Sequence, residues 1–300
     1  MGKAIKIIAA LIAVLGTGVA GFVMVNVSAY DESMSKVYDV PLKDVQVSTD
    51  PVVLERGKHL AISIGSCAGN DCHGADLTGG KDLAMGPLGT FRAPNITVKG
   101  ILADYSDAEL ARVLKHGIRK NGTSVVFMPS QDFAWWPDSD VVALISYLRS
   151  VPGVEKVVKP SEVGTLAKVL DRQDQLIADV ARRIDHTSEE IAPAAAPTAA
   201  YGAYLAKLCM GCHGETLSGG PIPGAPPSMP VPLNLTPADD GLKTWAFEDF
   251  DKLMRQGLKR DGSKLDPFMP IDTMKHMNDV EMKALFAYLK TLPATPFGNR

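Results

Sequence analysis

Positions 140 apart in this 300-residue chain keep carrying the same residues. Cys72, His73 and Gly74 fall on Cys212, His213 and Gly214, and Leu77, Thr78, Gly79 and Gly80 on Leu217, Ser218, Gly219 and Gly220. After a one-residue gap, Asn95, Ile96 and Thr97 align with Asn234, Leu235 and Thr236. Gly117 and Gly122 match Gly257 and Gly262, and Phe127, Met128 and Pro129 return as Phe268, Met269 and Pro270. Leu144, Tyr147, Leu148 and Arg149 return as Leu285, Tyr288, Leu289 and Lys290. A solenoid would repeat every ~20–50 residues. A period this long means two copies of one domain, in line with the domain count that length alone suggests.

The repeat is centred on two strings that use every cysteine of the chain: Cys67 and Cys72 before His73, and Cys209 and Cys212 before His213. Cys-x-x-Cys-His is the signature of covalent c-type haem attachment. Each thiol bonds a vinyl group, and the histidine beneath the iron is its proximal ligand. The second string has the standard spacing. In the first, four residues separate the cysteines, so the extra residues must bulge outward, and Gly69, Asn70 and Asp71 are turn-prone residues suited to it. Other chemistries compete. A zinc site normally needs four ligands, and each half offers three. A redox Cys pair of the thioredoxin kind needs a βαβ pattern that is missing here. A Cys67–Cys72 disulfide suits an exported protein. The register of the wide string with the standard one favours haem at both.

The same register singles out Met128 and Met269, each framed by Phe and Pro at matching positions. A thioether is a soft ligand suited to haem iron, and His/Met ligation raises its potential. The plain alternative is core packing, the usual use of methionine. Met85, Met274 and Met277 have no matching partner in the other copy, and neither do His59, His116, His186 and His276. The latter read as surface or packing residues.

Each half resembles a class I cytochrome c domain: a helix before the haem string, a haem-binding loop, a Met loop and a closing helix. With its leading apolar segment, the chain is similar to membrane-anchored dihaem c-type cytochromes, including the cytochrome subunits of periplasmic alcohol and gluconate-type dehydrogenases. The resemblance covers residues 50–295. Those subunits usually carry three haems, whereas this chain has two strings. The fold it implies is all-α, two tandem class I cytochrome c domains behind an N-terminal transmembrane helix, with two covalently attached haem c groups. It also implies a loop proline whose carbonyl accepts the proximal histidine's Nδ1 proton, which places Pro87 and Pro227 in that role. Asn95 and Asn234, in the same loops, either face a haem propionate or hold their own turns.

The N-terminus reads as an export signal, with Lys3 and Lys6 ahead of an uncharged run from Ile7 to Val25. That run is near the ~20 residues needed to span a bilayer. A cleaved signal peptide would have a shorter apolar core, although Val27, Ser28 and Ala29 resemble a cleavage site. Either way the remainder lies in the periplasm, with the anchor in the inner membrane of a bacterium. Residues 1–30 are then the anchor, 31–50 a polar tether, 51–155 the first domain, 156–199 a linker and 200–300 the second domain. Helices are expected at 55–64, 106–115, 139–150, 200–208, 246–256 and 278–292. An amphipathic connecting helix is expected over 161–184, and Pro193 and Pro197 bracket a hinge.

Net charge is −3 with 22% charged residues, which argues against nucleic-acid binding. The functional expectation is an electron carrier, not an enzyme. It would be a membrane-tethered dihaem cytochrome passing electrons between a dehydrogenase or quinol-oxidising complex and an acceptor such as a terminal oxidase. Its irons would be held by His73/Met128 and His213/Met269, with no small-molecule substrate. The alternative is a dihaem enzyme of the cytochrome c peroxidase type, which needs an open iron.

Overall fold

The computed structural model describes residues 2–70, 72–187, 192–223, 225 and 229–300. Helix α1 (Gly2–Ser35) contains an exposed segment of hydropathy 2.4, long and apolar enough to cross a membrane. A signal sequence has the same character. The helix runs past the expected end at residue 30, because its last turns have something to pack on. Asn26 accepts a hydrogen bond from Gln173 (2.8 Å), Ser33 donates to Asp179 (2.5 Å), and Lys168 pairs with Asp31 (2.6 Å). Residues 36–50 are extended but not a free tether. The Tyr38 amide donates to the Gly122 carbonyl and the Ser48 amide to Ser146 Oγ, both at 2.9 Å.

Helix α2 (Pro51–Ile62) starts where Asp50 caps it and Pro51 opens its first turn. Its partner is α4 (Asp138–Ser150). The second half repeats the pair with α6 (Ala199–His213) and α9 (Asp279–Leu289). Between the members of the pairs lie α3 (Asp107–His116) and its counterpart α7 (Phe247–Gln256). The capping box of Ser106 and Glu109 opens α3, and left-handed glycines end both helices, Gly117 at φ 63° and Gly257 at φ 65°. One-turn helix α8 (Ile271–Met274) follows Met269, as a 3-10 turn over Ser130–Asp132 follows Met128.

The two helix pairs cross at equivalent notches. A Cβ on Gly57 would lie 1.9 Å from the Ala143 carbonyl oxygen and 2.7 Å from Tyr147 Cβ. On Gly202 it would lie 1.9 Å from the Ala284 oxygen and 2.7 Å from Tyr288 Cβ. Only glycine lets the backbones approach this closely. One continuous apolar core runs through both halves, from Leu60, Leu144 and Trp136 to Leu205, Leu285 and Leu289.

Three features depart from the sequence reading. The fold is mostly helical but not all-α, since strands β1 (Leu83–Ala84), β2 (Gly89–Phe91) and β3 (Glu162–Val163) form a small antiparallel sheet. The connecting helix is only α5 (Thr165–Arg172). It stops because the buried Asp171 carboxylate accepts the amides of Ala178 and Asp179 (2.9 and 3.0 Å), folding the chain back. Residues 156–184 are therefore part of the first half's structure, not a spacer. Finally, α6 continues through the second cysteine string, whereas α2 ends before the first.

Adding a methyl at either notch forces the helices apart. Gly57→Ala and Gly202→Ala should each lower stability by at least about 1–3 kcal/mol. Thermal unfolding followed by circular dichroism reads this directly.

Candidate haem sites

The wide string is accommodated by a loop. After α2 the chain turns at Ser66, a non-glycine at φ 51°, and the amides of Cys72 and Gly74 both donate to the Gly69 carbonyl (3.0 and 3.1 Å). The His73 amide donates to the Cys67 carbonyl (3.0 Å), which returns the histidine to the first cysteine despite the extra residues. Asn70 is exposed at the tip, as expected of a bulge; Asp71 lies outside the described residues.

Beyond the strings the two halves follow one path. The Gly79 amide donates to the His73 carbonyl and the Gly219 amide to the His213 carbonyl (2.7 and 2.9 Å). Leu77 and Leu217, both at left-handed φ (60° and 59°), accept from the amides of Ile96 and Leu235 (2.9 Å each). These bonds bring a carbonyl over each imidazole. His73 Nδ1 lies 2.7 Å from the Pro94 oxygen and His213 Nδ1 2.7 Å from the Leu233 oxygen. A carbonyl only accepts, so Nδ1 carries the proton in both rings. Burial lowers the pKa of both histidines, the carbonyl bonds opposing it. Each ring is therefore a neutral imidazole whose Nε2 lone pair is free for a metal.

The acceptors correct the sequence expectation. Pro94 and Leu233, each just before the aligned asparagine, fill the role assigned to Pro87 and Pro227. Pro87 is exposed in a 3-10 turn packed against Gly164; Pro227 lies outside the described residues. Asn95 and Asn234 are buried and their polar atoms hold loops together. Asn95 donates to the Val154 carbonyl (2.8 Å) and accepts from the Thr97 amide (3.0 Å). Asn234 donates to Thr295 (2.8 Å) and accepts from Thr236 (2.9 Å). Their work is to tie the haem loop to the chain leaving the closing helix, so neither is left free for a propionate.

In the second half Cys209, Cys212, His213 and Met269 line one cleft of about 940 Å³, counting its open mouth. Leu235, Leu242, Phe250, Met254 and Leu285 complete an almost wholly apolar wall, with Lys259 and Asp266 as its charged members. An apolar slot holding two thiols at one side, a neutral imidazole and a facing thioether fits a covalent haem. Met254, buried in this wall, was not singled out by the sequence because the first copy has no equivalent methionine. In the first half Met128 is half-buried against the same apolar core as Cys67 and Trp136. Its loop has the same form: the Ser130 amide donates to the Met128 carbonyl as Ile271 does to Met269, both at 2.7 Å. Burial, then the neighbouring cysteine, pushes the Cys67 and Cys209 thiols up to about 12, which keeps both protonated at neutral pH.

The halves meet reciprocally. Asp132, beside the Met128 loop, sits close enough to the second string to raise the Cys212 thiol beyond what burial does. Thr273, the equivalent position beside Met269, faces the first string, 3.5 Å from where a Cβ of Gly69 would lie. Burial pushes Asp132 itself up to about 7. Trp135 packs edge-on against Tyr204 of α6, ring centres 4.5 Å apart. Behind these, Arg56 forks onto Asp140 (2.9 and 2.7 Å) and reaches Glu281 (3.2 Å), while His59 Nε2 lies 2.8 Å from Glu281. Asp140 and Glu281 occupy equivalent places in the two closing helices. Sequence reading passed over this cluster because Arg56 and His59 have no like-charged counterpart in the second copy, where Tyr201 and Tyr204 stand.

Comparison with known proteins agrees with the geometry of the second half. Residues 199–293 match the cytochrome c family. The chain is similar to the fructose dehydrogenase cytochrome subunit of Gluconobacter japonicus, 33% identical over 39% of this chain and 26% of that protein. It is 36% identical to the cytochrome c subunit of a quinone-dependent alcohol dehydrogenase from Komagataeibacter europaeus, over 29% of this chain and 20% of that subunit. A subunit of the same name in Gluconobacter oxydans aligns over 83% of this chain and 57% of its own length at 23% identity. The chain thus covers well under two thirds of each of these relatives.

The cluster between the halves makes a prediction for acid. Burial pushes the Glu281 carboxyl up, but the hydrogen bond and charge of His59, the Asn278 amide and Arg56 outweigh it, leaving it below its ordinary value. A depressed folded-state pKa contributes stability above the unfolded value of ~4.3, and that stability is lost as pH falls through the folded value. Glu281→Gln should therefore cost about 1–3 kcal/mol at neutral pH and flatten the loss of stability below pH ~4.3. Denaturant unfolding across that range, with wild type alongside, measures both.

Proposed function

We propose that this chain is a membrane-tethered dihaem cytochrome c that carries electrons for a dehydrogenase. The observation that carries the reading is the duplication of one arrangement. In each half a Cys-His string, a buried imidazole oriented by a loop carbonyl, and a Met-Pro turn come from the same elements. On this reading Cys67 and Cys72 attach one haem c and Cys209 and Cys212 the other. His73 and Met128 would hold the iron in the first half, and His213 and Met269 in the second.

The bound haem supplies one-electron chemistry, cycling its iron between two oxidation states. The protein's own residues set how that happens. The Pro94 and Leu233 carbonyls fix the tautomer and tilt of His73 and His213 and raise their basicity as ligands. The methionine thioethers favour reduced iron and lift the potential. The apolar wall of Leu235, Leu242, Phe250 and Leu285 excludes water. A filled coordination shell leaves little to rearrange when an electron arrives or departs. Trp135 and Tyr204, in contact across the junction, belong to the two halves and bridge the region between the strings.

The named relatives are electron-transfer subunits of dehydrogenases acting on fructose or alcohol, which supports a dehydrogenase as donor. The acceptor would be a quinone-linked complex or a terminal oxidase. With α1 in the inner membrane, residues 36–300 would stand in the periplasm, where c-type haem is attached. The domain boundaries become 36–187 for the first unit, with residues 156–187 as its cover, and 198–300 for the second.

Intact mass of protein produced with a haem-maturation system should show two covalent haems, and one in Cys67→Ala/Cys72→Ala. A single haem in the wild type would remove the relay. Met128→Ala and Met269→Ala should each turn one haem high-spin and lower its potential, read by optical redox titration. An unchanged spectrum would exclude that methionine as a ligand.

A further inference from the structure

The two Met loops share a path but not a setting. The first is pinned from outside by the segment that follows its closing helix. The Phe127 amide donates to the Ala178 carbonyl (3.2 Å), Val126 bridges Asp179, and the Ala181 amide donates to Ser124 Oγ (2.9 Å). Ala178, Val180 and Ala181 are fully buried in that contact. Phe127 stacks on Phe91, ring centres 4.3 Å apart, and β2, which carries Phe91, is in turn paired with β3. From below, Ser130 Oγ donates to the Val113 carbonyl (2.8 Å).

Among the described residues, the second loop has no such cover. Among the described residues, the backbone bonds of 258–274 stay within 257–277, among them Leu265 to Gly257, Phe268 to the Asp266 side chain, Met269 to Asp266, and Ile271 to Met269, while Arg255 holds the Lys275 carbonyl at the segment's end (3.2 Å). Phe268, the counterpart of the stacked Phe127, instead lines the cleft itself, together with Val231 and Leu233. Segments held by few, local hydrogen bonds and little buried apolar surface open at the lowest free energy.

We infer that the second iron is a site for small exogenous donor ligands, imidazole-like or cyanide-like, and that the first is closed to them. This rests on Met269 and Met128 being the distal ligands. Opening of 257–275 withdraws the Met269 thioether. The donor then enters by the mouth between Val231, Leu233 and Phe268 and takes the vacated position, with no change in oxidation state. Affinity for such a ligand is scaled by the fraction of time the loop is open, so the two sites should separate even with identical methionine ligation.

The test is an imidazole titration of the oxidised, fully haem-loaded protein. It is followed by loss of the methionine-to-iron charge-transfer absorption and by the shifted methionine methyl resonances in NMR. Those resonances are assigned with Met128→Ala and Met269→Ala. The Met269 signal should vanish at an imidazole concentration at least about tenfold below any that affects the Met128 signal. Ser124→Ala combined with Phe91→Ala, which strips the cover from the first loop without touching either iron ligand, should narrow that gap. Equal sensitivity of the two signals, earlier loss of the Met128 signal, or no binding at either site would overturn the inference while leaving the ligation intact. Absence of both methionine signals before imidazole is added would overturn the ligation reading itself, and this inference with it.

Discussion

Everything in each half hangs from a contact between two backbones. Gly57 lets α2 lie directly on the Ala143 carbonyl of α4, and Gly202 does the same for α6 against Ala284 of α9. With no side chain between them, each pair holds a fixed crossing whose flanks are lined by Leu60 and Leu144, or Leu205 and Leu285. That crossing sets where the first helix ends and therefore where the cysteine string begins. It also sets where the closing helix lies and so how the Met loop before it must turn. A haem pocket between string and Met loop follows from the geometry of the crossing, because both of its walls are attached to the same two helices.

The carbonyl above each imidazole shows how tightly the rest is specified. Pro94 and Leu233 differ in chemistry, yet both carbonyl oxygens stand 2.7 Å from the histidine. What the two halves share is the frame around those residues: a left-handed leucine, two consecutive glycines and a buried asparagine that ties the loop to the chain beyond the closing helix. The backbone carbonyl is placed by its neighbours, so the side chain at that position is free to vary. The same logic explains the basic group at the far end of each half. Lys156 and Arg300 each donate to a carbonyl of the glycine pair, Gly79 (2.5 Å) and Gly220 (2.8 Å), closing the loop from the C-terminal side.

Much of this was legible in the sequence, and the gaps have physical reasons. The repeat located the strings, the Met loops and the helices around them, because core spacing and left-handed glycines leave local signatures. Ser106 with Glu109 and Gly117 marked α3 to within a residue. The histidine's acceptor was missed because a backbone carbonyl has no residue-type signature; proline drew attention to Pro87, and the loop's course selected Pro94. The connecting helix was overextended because the apolar periodicity through Ile184 continues after Asp171 has bent the chain. The cluster of Arg56, His59, Asp140 and Glu281 was invisible because it joins residues more than 200 positions apart and has no counterpart in the repeat. Long-range pairing is what a single sequence conceals.

The same tertiary contacts break the symmetry that the repeat suggests. Two copies of one domain would give two equivalent sites, but residues 156–187 fold only over the first, where β3, α5 and the turn at Ala181 pack against β2, α1 and the Met128 loop. In the second copy the chain after the closing helix reaches back to the loop after the cysteine string through Thr295 and Arg300. The anchor helix adds to the difference, since Asn26, Asp31 and Ser33 bind it to the cover and not to the second half. A reciprocal junction places the strings near one another, while an unequal exterior leaves one site sheltered beside the apolar helix and the other facing outward. Division of labour between two proposed redox centres then needs no difference in their ligands. It arises from residues 156–187, which among the described residues cover the first Met loop and not the second.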